Sequence, residues 1–293
     1  MRPVVLLFFC LVAQLASAGE VLVLGKLQSA AMTEVSGIAV SGREPGVLWG
    51  INDSGNAPLL HAFARDGVPL GAVRVRGARN YDWEDMAAFQ QDGEHFLLIA
   101  DTGDNNGRRA ISKLLVVAEP RRDSSGVYGG NINVRKVIRF SYEDGPRDCE
   151  AVAVTPAGEV LLVSKRQAPP VIYRLPLDLA SRGGQVEIAR QAGTITGLPR
   201  PTISEALESP LLGAWRHQPT AMDVDEKQVA LVTYQNLYLF ARQPGQSWAA
   251  ALAGTPRVVH LPGLSQNEAV ALDGDVAVVV AEGRRSPIIA VTH

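Results

Sequence analysis

The sequence predicts an all-β fold: a five-bladed β-propeller whose ring is closed by the N-terminal strand of the mature chain. Three observations predict it. A phrase of seven residues occurs five times, strand-length apolar runs follow each copy, and helical periodicity is scarce. Repeated four-stranded antiparallel units of about 40–60 residues are typical of propeller blades. A six-bladed propeller, with a degenerate blade around residues 185–215, is the alternative.

The repeated phrase aligns at its third position. Its copies read EVSGIAV, DWEDMAA, DCEAVAV, QPTAMDV and QNEAVAL, and their third residues are Ser36, Glu84, Glu150, Thr220 and Glu268. Each copy begins with polar residues and continues with small and branched apolar residues, as expected of a short inner strand. Each copy therefore predicts the innermost strand of one blade.

Further apolar runs supply the other strands of each blade. A second run, such as HFLLIADTGDN or EVLLVSKR, is rich in Val, Ile and Leu and is bounded by turn residues. The last copy is followed by only two more runs before His293. We expect the run EVLVLGKL at 20–27 to supply the missing outer strand of the final blade. This closure would hide strand edges that otherwise invite aggregation.

The first eighteen residues predict a secretory signal peptide, and residues 19–293 are expected to form a single β-propeller domain. The segment carries the basic residue Arg2, an apolar run from Val4 to Ala13, and small residues up to Ala18. The apolar run is too short for a permanent membrane span, and no later segment approaches the roughly 18 apolar residues that a span requires. The protein is therefore expected to be periplasmic or secreted.

Charge and cysteine content limit the possible partners. Cleavage would remove Arg2 and change the formal net charge from −2 to −3, and it would leave Cys149 as the single cysteine. A near-neutral chain without a basic stripe argues against nucleic acid as a partner. No intramolecular disulfide could form, so Cys149 is expected to be a small buried residue. We expect a monomer.

Polar residues are expected to meet at one rim of the ring. The inner strand of an antiparallel meander starts at the face where the second strand ends. The residues at the starts of the inner strands are Ser36, Glu84, Asp85, Glu150, Thr220 and Glu268. Those at the ends of the second strands are Asn52, Asp53, Asp101, Asp104, Asn105, Ser164, Lys165, Tyr234, Gln235, Glu282 and Arg284. The carboxylates of DWEDM should therefore face a shared axial mouth.

Several glutamates around a narrow ring would repel one another, so they require a cation, basic partners or raised pKa values. Hard oxygen ligands favour calcium, and the turns NDSGN and DTGDNNG add the same ligand chemistry. Two alternatives stay open. Asp, Asn and Gly are ordinary turn residues, and the glutamates could instead bond backbone N–H groups or pair with Lys165, Arg166 or Arg284. Trp49 and Trp83 are expected to pack between blades.

Several reaction classes lose support because their motifs do not occur. The histidines show no H-E-x-x-H spacing, and no nucleophile elbow, Walker loop or dinucleotide fingerprint is present. Structural zinc, serine-nucleophile hydrolysis, ATP use and nicotinamide binding are therefore disfavoured. A hydrolase with this fold would use a metal ion as a Lewis acid, together with a carboxylate that transfers the proton.

The segments EVSGIAV, WGINDSG, DWEDMA, IADTGDN, DCEAVAV and NEAVAL resemble secreted bacterial β-propellers of the phytase-like, SdiA-regulated and lactonase-like clan. The resemblance spans about Glu34 to Glu282 and implies the propeller fold. The clan includes phosphoesterases, lactonases and proteins with no known reaction. The resemblance also implies calcium held by axial acidic residues, at positions that here are Glu84, Asp101, Glu150 and Glu268.

This chain departs from the phytase pattern in its basic residues. A phytase should present several Lys and Arg side chains at the rim, whereas only Lys165, Arg166 and Arg284 stand out here. Inositol-phosphate hydrolysis is therefore disfavoured.

Two hypotheses for the function follow. The first is an exported calcium-dependent hydrolase of phosphoesters or lactones. Asp85 or Asp104 would accept the proton, and Lys165 or Arg284 would steady an anionic oxygen. The alternative is a non-catalytic propeller scaffold whose rim binds a ligand or partner. The expected partners are a small anionic molecule or a component of the cell envelope.

Overall fold

The computed structural model describes residues 20–180, 184–208, 213, 215–261 and 266–293. The predicted signal peptide lies outside these residues. The described residues form 21 strands and two short helices, α1 (Ile203–Glu208) and α2 (Trp248–Leu252), which confirms a nearly all-β protein. Neither helix has the length and apolar character needed to cross a membrane.

In the described part of the chain, the strands form five antiparallel meanders. The first contains β2 (Val35–Val40), β3 (Val47–Asn52), β4 (Leu59–Ala64) and β5 (Pro69–Arg76), and the second contains β6 (Trp83–Gln91), β7 (Glu94–Asp101), β8 (Ser112–Ala118) and β10 (Lys136–Tyr142). The third contains β11 (Cys149–Val154), β12 (Glu159–Ser164), β13 (Val171–Pro176) and β14 (Val186–Thr194). The fourth contains β15 (Pro219–Val224), β16 (Gln228–Thr233), β17 (Asn236–Ala241) and β18 (Arg257–His260).

The fifth meander joins the two ends of the described chain. It contains β19 (Asn267–Asp273), β20 (Val276–Ala281) and β21 (Pro287–Thr292), and its outer strand is β1 (Val21–Lys26). Val21 of β1 lies opposite Val291 of β21 in an antiparallel pair. The inner strands β2, β6, β11, β15 and β19 contact one another in a closed cycle. They therefore surround a common axis.

Two parallel pairings link neighbouring meanders at their outer edges. The short strand β9 (Asn131–Asn133) pairs with β5, and β10 pairs with β14. The second pairing joins the second and third meanders into one eight-stranded sheet. These pairings cover outer strand edges that would otherwise be open to another chain.

The hydrophobic core consists of clusters that lie between successive meanders. Trp49 and Trp83 are fully buried in the cluster between the first and second meanders, as the sequence predicts. Cys149 is buried in the next cluster and has a free thiol. Both faces of these sheets are covered, which explains near-continuous apolar strands such as VAVVVA in β20.

Each inner strand contains a β-bulge at the same position. The register of each inner strand against the second strand of its meander shifts once, as between Trp83 and Asp85 or between Cys149 and Ala151. The skipped residues are Ser36, Glu84, Glu150, Thr220 and Glu268. A bulge leaves its extra residue unpaired and re-aims the side chain. The repeated phrase therefore encodes a repeated bulge.

Asp85 joins three meanders near the axis. Its Oδ2 accepts the N–H of Val152 in β11 at 2.8 Å and of Met222 in β15 at 3.1 Å, and its Oδ1 accepts the N–H of Met86 at 2.8 Å. Burial raises the pKa of Asp85, and these N–H groups oppose that rise. Gly37 of β2 packs here, because a Cβ on it would lie 2.8 Å from the Asp85 Cα.

Asp223 fastens the fourth meander to the fifth in a similar way. Its Oδ2 accepts the N–H of Leu272 in β19 at 2.8 Å, and its Oδ1 accepts the N–H of Val224 at 2.8 Å. Burial raises the pKa of Asp223 to about 7. The carboxylates of Asp85 and Asp223 therefore connect inner strands that share no backbone pairing.

Asp85→Asn should destabilise the protein, because an amide presents an NH2 group where a carboxylate oxygen accepts N–H bonds. Leaving a buried N–H without an acceptor costs about 1–3 kcal/mol, so we expect the free energy of unfolding to fall by at least about 1 kcal/mol. Urea unfolding followed by tryptophan fluorescence measures this change. The matched control is Asp275→Asn at an exposed position. Equal stabilities of the two variants would contradict the role of Asp85.

Candidate functional site

Five carboxylates converge where the inner strands begin. One oxygen each from Asp53, Asp82 and Glu84 lie within 4.8 Å of one another, and so do oxygens of Glu84, Asp148 and Glu150. Glu84 belongs to both groups. We call these five residues the acidic mouth. Asp53 follows β3, whereas Asp82 and Asp148 precede β6 and β11. The starts of the inner strands β6 and β11 therefore lie close to the end of β3, the second strand of the first meander, as antiparallel geometry predicts.

The bulges place Glu84 and Glu150 in the acidic mouth. Both residues are the unpaired members of their strands, and both are buried. Gly103, in the loop after β7, leaves space for the carboxylates. A Cβ on Gly103 would collide with Glu84 Oε1 and with Asp82 Oδ2. A side chain at the glycine of the DTGDN turn would therefore displace the carboxylates of Glu84 and Asp82 from these positions.

The carboxylates of the acidic mouth are difficult to ionise together. Burial, followed by the negative charges of Asp53 and Asp148, raises the pKa of Asp82 to about 6. Burial raises the pKa of Glu150 to about 7, although Lys165 opposes this rise. Burial, followed by the charge of Glu150, raises the pKa of Glu84 well above its usual value. Such a group needs either protons or a cation to offset the repulsion.

Lys165 lies beside the acidic mouth and is itself buried. Its Nζ contacts Glu150 Oε2 and donates a hydrogen bond to the Tyr234 hydroxyl at 3.1 Å. Burial alone would lower the pKa of Lys165, but the charges of Glu150 and Glu268 outweigh burial and raise it. Lys165 is therefore a charged ammonium group. Burial, followed by the charge of Glu268, raises the pKa of Tyr234 to about 12.

Glu268 occupies the bulge of the fifth meander. Its side chain is partly exposed, and it is in neither of the two carboxylate groups found among the described residues. Burial raises its pKa well above the usual value, while the charge of Lys165 opposes the rise. The charges of Lys165 and Glu150 therefore both act on Glu268.

Two arginine–aromatic pairs flank the acidic mouth. The Arg166 guanidinium lies 4.4 Å from the ring centroid of Trp215, and its Nε donates to Asp148 Oδ2 at 2.6 Å. The Arg109 guanidinium lies 5.0 Å from the ring centroid of Tyr81, which is 62% exposed. Arg166 has φ of +69°, a backbone conformation that costs about 1–3 kcal/mol and is concentrated at functional sites.

The structure brings only part of the predicted site together. Glu84 and Glu150 share a carboxylate group, whereas Asp101 pairs with Arg109 at 2.7 Å and accepts the N–H of Asp82 at 3.2 Å. Asp101 lies outside both carboxylate groups of the described residues. The predicted calcium ligands are therefore divided among the acidic mouth (Glu84 and Glu150), the salt bridge of Asp101, and Glu268 beyond Lys165.

The predicted catalytic residues also have different surroundings. Asp104 Oδ1 accepts the N–H of Arg108 at 2.9 Å, and its Oδ2 accepts the N–H of Arg109 at 2.6 Å, which shapes the loop after β7. The oxygens of Asp85 are likewise bonded to backbone N–H groups. Arg284 is exposed and makes no ion pair within the described residues. Of the four predicted catalytic residues, Lys165 is the one whose charged group contacts a member of the acidic mouth.

Sequence reasoning did not select three members of the acidic mouth as ligands: Asp53, Asp82 and Asp148. A sequence signal for two of them exists. Asp82 and Asp148 each stand two residues before a bulge glutamate, in the segments DWE and DCE. This shared D-x-E spacing could have identified them. Asp53 belongs to the polar end of a second strand, and only its distance to Glu84 distinguishes it from the others.

No protein-family model matches this chain, and no curated protein matches it. Solved structures do resemble it. The major allergen Mala s 1 of Malassezia sympodialis is 11% identical with a TM-score of 0.54, and the similarity covers 91% of this chain and 94% of that chain. The GH43 endo-arabinanase of Bacillus licheniformis is 11% identical with a TM-score of 0.51, over 91% and 96% of the two chains.

A gluconolactonase-like protein is 12% identical, with a TM-score of 0.47 over 94% of this chain and 92% of that chain. The endo-arabinanase, whose TM-score exceeds 0.5, is a β-propeller. The chain is therefore a β-propeller, and at these low identities the similarity shows the fold alone.

Without divalent cations, the free energy of unfolding should fall as the pH rises from about 5 to about 7. The folded-state pKa values of Asp82, about 6, and Glu150, about 7, exceed the ordinary values of 3.8 and 4.5. The folded protein therefore binds more protons than the unfolded chain in this window, so stability is lost as pH rises. Urea unfolding in chelator at several pH values measures this dependence.

The variant Asp82→Asn should flatten this pH dependence, because it removes one of the groups with a raised pKa. Asp92→Asn, in an exposed turn whose positive φ suits asparagine, is the matched control and should keep the wild-type dependence. Stability of the wild-type protein that rises steadily from pH 5 to pH 7 would contradict this prediction.

Proposed function

We propose that this protein is an exported five-bladed β-propeller that binds calcium at the acidic mouth and hydrolyses a phosphoester or lactone there. The observation that carries the proposal is the convergence of five carboxylates. Two of them, Glu150 and Asp148, contact a cationic side chain, Lys165 and Arg166 respectively. The number of blades rests on the five meanders of the described residues. Export rests on the pattern of the first eighteen residues.

The donor atoms of the acidic mouth fit calcium. All five residues offer carboxylate oxygens, and calcium takes about six to eight oxygen ligands in flexible geometry. Neither described group contains a histidine or cysteine, the ligands typical of zinc. A divalent cation would also offset the repulsion that raises the pKa values of Asp82, Glu84 and Glu150. We therefore propose Asp53, Asp82, Glu84, Asp148 and Glu150 as the residues that hold it.

Residues beside the acidic mouth have the properties that hydrolysis requires. Bound calcium would supply a Lewis acid for an oxygen of the substrate. Lys165, held by Glu150 and Tyr234, would stabilise negative charge that develops on a substrate oxygen. Burial raises the pKa of Glu268 well above its usual value, so this carboxyl group takes up a proton more readily than an exposed glutamate does. Glu268 is therefore our proposed proton acceptor, since the oxygens of Asp85 and Asp104 bond backbone N–H groups.

A second candidate function is a propeller that binds a ligand at this mouth without catalysis. The arginine–aromatic pairs favour it, because the exposed ring of Tyr81 beside Arg109 offers a recognition surface that chemistry does not require. Both candidates include the metal. They differ in turnover, so an activity measurement separates them.

Calcium should raise the thermal midpoint of the wild-type protein relative to a sample in chelator. A ligand that binds only the folded state stabilises it by about 2.7 kcal/mol at 100 times its Kd. Glu84→Gln should lose most of the shift, because Glu84 belongs to both carboxylate groups. Glu94→Gln, on the hairpin at the far end of the same sheet, should keep it. No calcium shift in the wild-type protein would overturn the metal site.

Lys165→Met should lower turnover by about 100-fold or more, which is the usual effect of removing a group that stabilises transition-state charge. Chromogenic phosphoesters and lactones in the presence of calcium are the substrates to measure. Lys227→Met, at an exposed position, is the matched control and should keep wild-type turnover. A calcium-loaded wild-type protein without turnover of either class would favour the binding function instead.

A further inference from the structure

The buried side chain of Asn80 joins the first meander to the second. Asn80 lies in the connection between β5 and β6. Its Nδ2 donates hydrogen bonds to the backbone carbonyls of Asn52 at 2.8 Å and of Asp53 at 2.7 Å. Its Oδ1 accepts the N–H of Trp83 at 3.2 Å. One amide group therefore connects the end of β3 with the start of the inner strand β6.

The partners of this amide determine its orientation and require an asparagine. The two carbonyls can only accept and the N–H of Trp83 can only donate, so the NH2 group faces the end of β3 and the oxygen faces β6. An ionised aspartate would offer no donor, and a serine would offer a single one. A glutamine carries the same groups on a side chain that is one methylene longer. Asparagine therefore fits both the chemistry and the length of this connection.

The two connected segments carry three carboxylates of the acidic mouth. Asp53 follows β3, and Asp82 and Glu84 stand on either side of Trp83. One oxygen from each of the three carboxylates lies within 4.8 Å of the others. Asn80 bonds the backbone of Asp53 itself and the backbone between the other two. It therefore holds the segments at the separation at which the three carboxylates meet.

These three carboxylates lack the cationic partners that the rest of the acidic mouth has. In the part of the chain that the structure describes, no cationic side chain forms an ion pair with Asp53, Asp82 or Glu84, whereas the other two members each have one. Glu84 is only 8% exposed, and its carboxylate has no hydrogen bond or ion pair with a described residue. A buried carboxylate without a partner is costly. An unpartnered Glu84 directed at two further carboxylates therefore indicates a bound cation.

Repulsion among the carboxylates acts against the geometry that a cation needs. Burial, followed by the charges of Glu150, Asp53 and Asp82, raises the pKa of Glu84 well above its usual value. The hydrogen bonds of Asn80 oppose a separation of the two segments, because they hold the backbone on both sides. A site that is held in place before its ligand arrives loses less free energy to ordering. Residues that position metal ligands in this way commonly change the metal affinity by about 10- to 100-fold.

We propose that Asn80 is a positioning residue of the acidic mouth, which holds Asp53 against Asp82 and Glu84 and thereby sets the affinity for calcium. Asn80 acts through backbone groups and is not itself a ligand. This role rests on the proposed calcium site, but it does not depend on turnover or on the identity of a substrate.

Calcium titration calorimetry on four forms of the mature protein tests this role: wild type, Asn80→Ser, Asp53→Asn and the double variant. Asn80→Ser should weaken calcium binding by about 10- to 100-fold. The double variant should bind about as weakly as Asp53→Asn alone, because Asn80 acts by placing the carboxylate that Asp53→Asn has already removed. Wild-type affinity in Asn80→Ser, or two effects that multiply in full, would overturn the proposal.

Asn267→Ser is the matched control. Asn267 is buried, and its Nδ2 donates to the backbone carbonyl of Tyr234 at 2.8 Å, so it connects the fourth meander to the fifth as Asn80 connects the first to the second. Its side chain bonds no member of the acidic mouth within the described residues. Asn267→Ser should therefore lose stability but keep the wild-type calcium affinity. An equal loss of affinity in this control would show a general effect of destabilisation and would overturn the role of Asn80.

Thermal midpoints in chelator show whether each variant is folded at the temperature of the titration. If Asn80→Ser does not fold, Asn80→Gln replaces it, because glutamine keeps the hydrogen-bonding groups and displaces them by one methylene. Asn80→Gln should also bind calcium more weakly than wild type. A wild-type protein that binds no calcium would overturn the calcium site and the role of Asn80 together. Calcium binding of equal strength in wild type and in the folded Asn80 variant would overturn the role of Asn80 alone.

Discussion

The bulge at the start of each inner strand is the constraint on which the rest of this structure depends. Five strands around one axis have little space between them, and Gly37 against Asp85 shows how close two backbones come. In a regular strand, the side chain of the third residue of the repeated phrase would point toward one face of the sheet. The bulge leaves it unpaired instead. Polar side chains can then occupy the axial end of a strand such as β11, whose other residues are buried and apolar.

The chemical properties of the site follow from the negative charges that the bulges bring together. The acidic mouth concentrates negative charge at a place where burial makes that charge costly. Lys165 and Arg166 offset part of it, through Glu150 and Asp148 respectively. The folded state therefore retains repulsion that a cation could relieve. Asp85 differs from the acidic mouth, because backbone N–H groups satisfy its oxygens and make it a connector of strands.

The fold and the site contribute different information about function. Structures with 11% identity share the propeller architecture, but they say nothing of what this chain binds or converts. The proposed function therefore rests on the acidic mouth, Lys165 and the flanking arginine–aromatic pairs. The long connection between β14 and β15 lies outside the repeated strands. Loops of this kind vary while the sheets that carry them stay rigid.

The sequence by itself determined the repeat, the strands and the face on which polar residues gather, because alternating apolar runs and turn residues are local signals. It also identified Glu84, Glu150 and Lys165 as neighbours of one mouth. Only the tertiary structure decided which carboxylates meet. Asp53 and Glu84 come from different meanders, yet their carboxylates lie together. The Asp101 carboxylate instead forms a salt bridge with Arg109. Such distances depend on how the meanders pack around the axis, and no pattern within one strand contains that information.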